Sequence, residues 1–284
     1  MEPTIELARK LIDEQFPEWS NLEIKHVQKS GHDNRTFRLG DTMSIRLPSH
    51  EAYAPQVEKE AKWLPMLAPH FDLPITVPVA KGKPSRLYPY SWSVNRWIEG
   101  QTLNRSNVHL QRLAVDLAAF LKKLYSIDST GGPTAGKHNF FRGGDLAVYK
   151  RETERAIAML GEQIDGDACA HVFKEALSSK WSKPSVWVHG DVAPGNLLVK
   201  NRKLAGVIDF GSSGVGDPAC DLVMAWTFFD KDSRNVFKEE IGLDADTWNR
   251  GKGWALWKAL ITYNSEVDDV RQNAYFTIKE ILHD

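Results

Sequence analysis

The chain has 284 residues, of which 42% are hydrophobic and 26% are charged, as in ordinary folded proteins. A disordered chain is excluded, because it would have fewer apolar and more like-charged residues. Lys and Arg (36) nearly balance Asp and Glu (37), so the charge gives no support to binding through nucleic-acid phosphates. The length suits one large domain or two lobes.

The cysteines and the apolar runs predict a cellular location. Cys169 and Cys220 have neither metal-ligand nor redox spacing, which predicts buried thiols in a reducing compartment. The charged residues among the first 20 leave no room for a secretory core. The longest uncharged runs, such as 222–229, are far shorter than the roughly 18 residues that a spanning helix needs. We expect a soluble, cytoplasmic protein with no membrane partner.

Up to about residue 98, short strand patterns alternate with turn residues. The predicted strands are 22–27, 35–39, 43–47 and 91–98. Gly40 and Asp41 predict a hairpin between the second and third strands. A helix is predicted where apolar residues recur at helical spacing: Val57, Ala61, Leu64 and Ala68. Pro65 lies inside this pattern and is expected to end or kink that helix.

Helical patterns dominate the rest of the chain. An apolar stripe over 110–124 predicts a long helix. Further helices are predicted at 147–160, 167–180, 219–230, 245–263 and 268–282. A β-rich insert is predicted at 185–211, with strands at 186–188, 197–200 and 204–209. We therefore expect an α+β fold with a small β-rich N-terminal lobe and a larger, mainly helical C-terminal lobe.

Three oxygen-bearing side chains are spaced for phosphate chemistry. Asp191 lies on a turn after a predicted strand, and Asn196 and Asp209 flank the open end of the hairpin that follows. One carboxylate could orient an attacking hydroxyl, while the amide and the other carboxylate could hold Mg²⁺ on nucleotide phosphates. Singly these residues are typical of turns, but the spacing His-x-Asp-x-x-x-x-Asn, then Asp-Phe-Gly, is that of protein-kinase catalytic and metal-binding loops. Gly190 replaces the usual Arg.

Two segments carry a family resemblance. Residues 188–196 and 208–221, with the run Gly-Asp-Pro-Ala-Cys-Asp-Leu at 216–222, resemble the aminoglycoside phosphotransferase family, which is similar in fold to choline kinases and protein kinases. The resemblance covers nearly the whole chain. It implies a two-lobe protein-kinase-like fold, with a nucleotide-binding lobe at 1–96 and a catalytic and acceptor-binding lobe at 97–284. The implied reaction transfers the γ-phosphate of ATP or GTP, with Mg²⁺, to a hydroxyl of a small molecule, nominally an aminoglycoside, and so implies antibiotic resistance.

The resemblance also implies a role for each motif residue. Asp191 would be the catalytic base, with Asn196 and Asp209 as the metal ligands. The catalytic loop would be supported by His189, Asp217 and Asp221. The nucleotide would be bound by Arg46, Glu60, Trp97, Ile98, Leu198 and Ile208.

The N-terminal half departs from the kinase pattern in two places. Kinases carry a phosphate-binding lysine where this chain has Arg46, which could pair with Glu60 but has a different, forked geometry. The phosphate-covering turn at 30–34 contains one glycine instead of the kinase Gly-x-Gly-x-x-Gly. Kinases of the aminoglycoside type tolerate such a turn, so this second departure bears on individual nucleotide contacts more than on the function.

Several alternatives remain open from the sequence. The same fold also serves macrolide, choline, sugar and amino-acid kinases, because fold does not specify substrate. A nucleotide-binding pseudokinase is disfavoured by the intact Asp191, Asn196 and Asp209 and weakly favoured by Arg46. A metal-dependent hydrolase would need histidines at ligand spacing, and the nine histidines show none. The choice between monomer and homodimer, and between ATP and GTP, is not fixed.

Overall fold

A computed structural model describes residues 3–27 and 33–284. Its α-helices are α1 (Ile5–Gln15), α2 (Ala54–Leu67), α3 (Leu110–Tyr125), α4 (Lys150–Leu160), α5 (Gly166–Ala176), α6 (Met224–Thr227), α7 (Lys231–Ile241), α8 (Ala245–Thr262) and α9 (Asp268–Leu282). Its strands are β1 (Ile24–His26), β2 (Asn34–Leu39), β3 (Met43–Pro48), β4 (Pro78–Gly82), β5 (Trp92–Arg96), β6 (Gln101–Thr102), β7 (Val186–Val188), β8 (Leu197–Lys200), β9 (Lys203–Val207) and β10 (Gly214–Gly216). No helix in the described part of the chain is long and apolar enough to cross a membrane.

Contacts divide the chain into two compact units. The first unit comprises 1–102, 195–200 and 205–211, and the second comprises 103–194, 201–204 and 212–284. The first unit thus includes the segment that follows residue 96 and two pieces of the β-rich insert. The predicted lobes at 1–96 and 97–284, with their separate nucleotide and acceptor roles, stay a prediction.

The first unit is built on a five-stranded sheet in the order β1-β2-β3-β5-β4. The predicted hairpin is present, because Leu39 pairs with Met43 and Gly40 takes the left-handed conformation (φ +55°) that such a turn favours. One face of the sheet packs with α1 into an apolar core that includes Leu11, Ile12, Phe37, Leu39, Ile45, Trp92 and Val94. This core fixes the position of β3, which carries Arg46.

Helix α2 continues through Pro65 to Leu67, so the predicted end at this proline is wrong. Proline removes one intrahelical donor, but the buried face of Trp63, Leu64 and Leu67 spans it. Burial of that face keeps the last turn helical, and the Ala68 N–H still donates to the Leu64 carbonyl. The proline therefore does not end α2, which continues for two more residues.

The second unit is mainly helical, and several of its elements differ from the prediction. Helix α3 forms as its apolar stripe predicts, with buried residues from Leu113 to Leu124. The helix predicted at 219–230 is wrong, because a 3₁₀ turn at Pro218–Leu222 precedes the four-residue α6. Helices α1 and α7 were missed by the sequence patterns. Helix α1 buries Ala8, Leu11 and Ile12, a helical spacing that was available in the sequence. Helix α7 buries only two apolar side chains, Phe237 and Ile241, so its apolar stripe is weak.

Candidate active site

The predicted catalytic loop follows β7 in the second unit. Gly190 has φ +81°, and a Cβ there would collide with the Ser212 carbonyl oxygen, so no side chain fits where kinases carry Arg. The Asp191 side chain is exposed, whereas His189 is fully buried. The Asp191 N–H donates to His189 Nδ1 at 3.2 Å, which agrees with an orienting role for the imidazole. The loop thus presents an accessible carboxylate on a fixed backbone.

Asp221 fixes this backbone. It is fully buried, and its two carboxylate oxygens accept the N–H groups of His189 at 3.0 Å and Gly190 at 2.7 Å. Burial raises the pKa of the Asp221 carboxyl, while the neighbouring His189 and the two N–H groups oppose that shift. The contacts agree with the supporting role predicted for Asp221.

Asp217 is anchored differently. Arg250 on α8 donates to it from Nε at 2.6 Å and from Nη2 at 3.3 Å, and both side chains are buried. Asp217 also caps the following 3₁₀ turn by accepting the Ala219 N–H. Its carboxylate therefore connects the segment after β10 to α8. Sequence reasoning missed Arg250, because its neighbours Asn249 and Lys252 are polar and give no sign that this part of the predicted helix is buried.

The support that Asp221 gives to the loop can be measured as a change in the free energy of unfolding. We expect Asp221→Ala to lower the free energy of unfolding by about 2–6 kcal/mol, because it leaves two buried N–H groups without acceptors at about 1–3 kcal/mol each. Asp221→Asn keeps one acceptor and should lose about half as much. Urea unfolding of both variants tests this, and a loss below about 1 kcal/mol in Asp221→Ala would contradict it.

In the first unit, the hypothesised ion pair is present. Arg46 Nη1 lies 3.1 Å from Glu60 Oε2 and 3.2 Å from Oε1, and its Nη2 lies 2.9 Å from Asp209 Oδ1. Burial disfavours the Arg46 cation, but Glu60 and Asp209 outweigh it and raise the pKa of Arg46. Burial raises the pKa of Glu60, and Arg46 opposes that shift. Arg46 thus joins the ion pair to Asp209, a contact that the sequence did not predict.

Asn196 and Asp209 are neighbours, as the hairpin geometry predicts. The Ile208 N–H donates to the Asn196 carbonyl at 2.9 Å, one step beyond β8 and β9. Asp209 then takes a left-handed conformation (φ +65°), which turns the chain out of the strand. Both side chains are half-buried. The amide and the carboxylate are therefore offered at one end of the hairpin.

This donor pair fits a magnesium ion that arrives with a nucleotide. Mg²⁺ usually takes one or two protein oxygens and completes its shell with water and phosphate. Within residues 3–27 and 33–284, no group of three or more His, Cys, Asp or Glu could hold a metal by itself. The residues present thus suit a shared metal site and not a closed protein cage.

Four of the predicted nucleotide-binding residues lie on two segments that pack together within the first unit. A Cβ on Gly206 of β9 would lie 2.7 Å from Ile98 Cγ2, and one on Gly100 would lie 3.0 Å from Leu198 Cβ. Trp97 has the Arg38 guanidinium 4.2 Å above its ring. Trp97, Ile98 and Ile208 are half-buried and Leu198 is buried. Their role in nucleotide binding stays a prediction, and residues 30–32 of the predicted phosphate-covering turn lie outside the described residues.

A lysine on α2 that the sequence did not indicate contacts the segment that follows Asp209. Lys59 Nζ donates to the Gly211 carbonyl oxygen at 2.5 Å. Burial lowers the pKa of Lys59 to about 8, although Glu60 and Asp209 oppose the shift.

The second unit thus presents an exposed carboxylate on a loop held by a buried aspartate, and the first unit holds an Arg–Glu pair beside Asp209. A model of the phosphotransferase enzyme family matches residues 26–254, and the chain belongs to that family. The predicted membership of a phosphotransferase family is thereby confirmed. A curated aminoglycoside 3'-phosphotransferase from Escherichia coli is 25% identical over 195 residues, and the match spans 62% of this chain and 65% of that protein's length.

Solved structures confirm the predicted α+β kinase-like fold. The GDP complex of wild-type aminoglycoside 2'-phosphotransferase-IIIa has a TM-score of 0.75 at 19% identity, with 99% of each chain covered. The apoenzyme of macrolide 2'-phosphotransferase MphH from Brachybacterium faecium has a TM-score of 0.64 at 17% identity, with 96% of this chain and 97% of that chain covered.

Proposed function

We propose that the protein transfers the γ-phosphate of ATP or GTP to a hydroxyl group of a small molecule. The observation that carries the proposal is the exposed Asp191 on a loop whose two preceding N–H groups are bound by the buried Asp221. Structures of similar fold bound to GDP and ADP support a nucleotide as the phosphate donor. Family membership supports phosphate transfer as the reaction.

Each residue then has a defined task. Asp191 orients the acceptor hydroxyl and takes its proton as the new phosphate ester forms. Asn196 and Asp209 would hold Mg²⁺, which supplies charge neutralisation on the nucleotide phosphates when bound. Arg46, oriented by Glu60, places a guanidinium beside the same phosphates. Trp97, Ile98, Leu198 and Ile208 bind the base.

An aminoglycoside is the first acceptor to test, which would make the protein an antibiotic-resistance enzyme. Relatives named for aminoglycosides and for a macrolide support testing both classes. Choline, sugars and amino acids complete the panel. The two buried free thiols, Cys169 and Cys220, support a reducing, cytoplasmic location. The proposal needs no nucleic-acid or membrane partner, and both a monomer and a homodimer are compatible with it.

The metal role of Asp209 predicts a change that is visible without any acceptor. We expect Asp209→Asn to lower Mg²⁺-dependent ADP or GDP affinity by at least about tenfold, because even outer-shell changes lower metal affinity that much. Affinity measured in EDTA should change far less. Calorimetric titration with and without Mg²⁺ measures both, and Asp72→Asn, an exposed carboxylate in the first unit, is the control. Equal Mg²⁺ dependence in wild type and Asp209→Asn would exclude Asp209 as a ligand.

A further inference from the structure

Helix α2 contacts the segment Asp209–Gly211 at more than one point. Glu60 binds Arg46, which reaches Asp209, while the preceding Lys59 extends to the Gly211 carbonyl oxygen at 2.5 Å. Lys59 of α2 therefore binds the last residue of this short segment directly, while Glu60 of the same helix is linked to its first residue through Arg46 of β3. Lys59 is half-buried, and its Nζ donates to the backbone carbonyl of Gly211.

The packing around Gly211 leaves little freedom on the α2 side. A Cβ at this position would lie 2.6 Å from Gln56 Oε1 and 2.7 Å from Gln56 Cδ. Gln56 is only 5% exposed, and its Oε1 is buried with no hydrogen-bond partner among the described residues. Gln56 thus blocks movement of the segment towards α2, and the Lys59 hydrogen bond opposes movement away from it.

We propose that Lys59 is a positioning residue that holds Asp209 in place for the metal-bound nucleotide by fixing the Gly211 carbonyl. This inference rests on the proposed function, in which Asp209 is a metal ligand. In this role Lys59 acts through the backbone carbonyl of Gly211, two residues beyond Asp209. Its position beside Glu60 lets α2 set the Arg46 contact and the Asp209 segment together.

Electrostatics and positioning make opposite predictions for this lysine. The Lys59 cation is close enough to Asp209 for their charges to interact. If charge alone mattered, removing Lys59 would leave the site more negative. The gain in nucleotide affinity that Mg²⁺ gives over EDTA would then rise. If Lys59 positions the segment, its removal lets Asp209 move and weakens Mg²⁺-dependent binding. The direction of the change therefore separates the two roles.

The experiment is calorimetric titration of the full chain with ADP and with GDP, with Mg²⁺ and in EDTA. We expect Lys59→Met to lower Mg²⁺-dependent affinity by about tenfold, the scale of outer-shell changes, and to leave affinity in EDTA nearly unchanged. Lys59→Arg should restore most of the loss, because a guanidinium can donate to the same carbonyl. Lys62→Met is the matched control, since Lys62 lies on the same helix but stacks on the Trp63 ring at 4.4 Å.

A second variant tests the same segment without changing its charge. Gly211→Ala introduces a methyl group against Gln56 and should reproduce the Lys59→Met loss. Mg²⁺-dependent affinity that is equal or higher in Lys59→Met, while Asp209→Asn loses it, would overturn the inference alone. Wild type that binds nucleotide without any Mg²⁺ dependence would instead overturn the metal role on which the inference rests. A lowered melting temperature in Lys59→Met with unchanged Mg²⁺ dependence would reveal a purely structural lysine and also overturn it.

Discussion

Asp191→Asn is expected to lower kcat by about 10²–10⁴-fold while leaving nucleotide affinity nearly unchanged. The substitution preserves size and hydrogen bonding, but an amide cannot accept the proton of the attacking hydroxyl. The loop should keep its shape, because Asp221 binds the N–H groups of His189 and Gly190, which the substitution leaves unchanged. The loss should therefore appear in turnover and not in binding.

The measurement is acceptor-stimulated ADP or GDP release with Mg²⁺ across aminoglycosides, macrolides, choline, sugars and amino acids. Asp167→Asn, an exposed carboxylate on α5 of the same unit, serves as the control and should match wild type. Equal turnover in Asp191→Asn and wild type would remove Asp191 as the base. Nucleotide binding without stimulation by any acceptor would favour the pseudokinase and count against an antibiotic acceptor.

The position of Asn196 beside Asp209 was predictable because its determinants are local. His189, Asp191 and Asn196 lie within eight residues, and a short hairpin returns the chain to Asp209. Hairpin pairing alone therefore places Asn196 beside the end of the second strand, as the Ile208 hydrogen bond shows.

The contacts that hold this geometry were not predictable in the same way. Arg250 reaches Asp217 across 33 residues, and Lys59 reaches Gly211 across 152. A single charged residue in a helix leaves no periodic signal, and its partner is set by tertiary packing. Arg46 was assigned to Glu60 only through the family pattern, and its second partner, Asp209, was not anticipated.

The errors in secondary structure have a related cause. Helical periodicity reports one apolar face, so it fails where that face is small, as in α7, or where every side is buried, as at 218–222. Pro65 shows the opposite case, in which local chemistry predicts a break but packing of Trp63 and Leu67 maintains the helix.

Arg46→Ala is expected to lower the free energy of unfolding by about 3–5 kcal/mol, because it leaves a buried carboxylate without its cation. Glu60 is only 5% exposed. Burial already raises the pKa of Glu60, and losing Arg46 would raise it further. The unfavourable charged form exists above that raised pKa and disappears on protonation. The loss should therefore be largest near neutral pH and should shrink as the pH falls, which urea unfolding at several pH values measures.

The same position tests the nucleotide role independently of stability. Arg46→Met combined with Glu60→Met removes both charges and should recover most of the lost stability, because replacing a buried ion pair with apolar residues is often neutral. If Arg46 binds phosphate, the double variant stays weak for ADP and GDP although it is folded, and Arg46→Lys keeps part of the affinity. If Arg46 only neutralises Glu60, the double variant binds nucleotide like wild type. A stable protein with restored binding would therefore assign the pair to folding. A stable protein that loses affinity in EDTA as well as with Mg²⁺ would assign Arg46 to the phosphates, because a loss that arises only through its second partner, Asp209, should appear only with Mg²⁺.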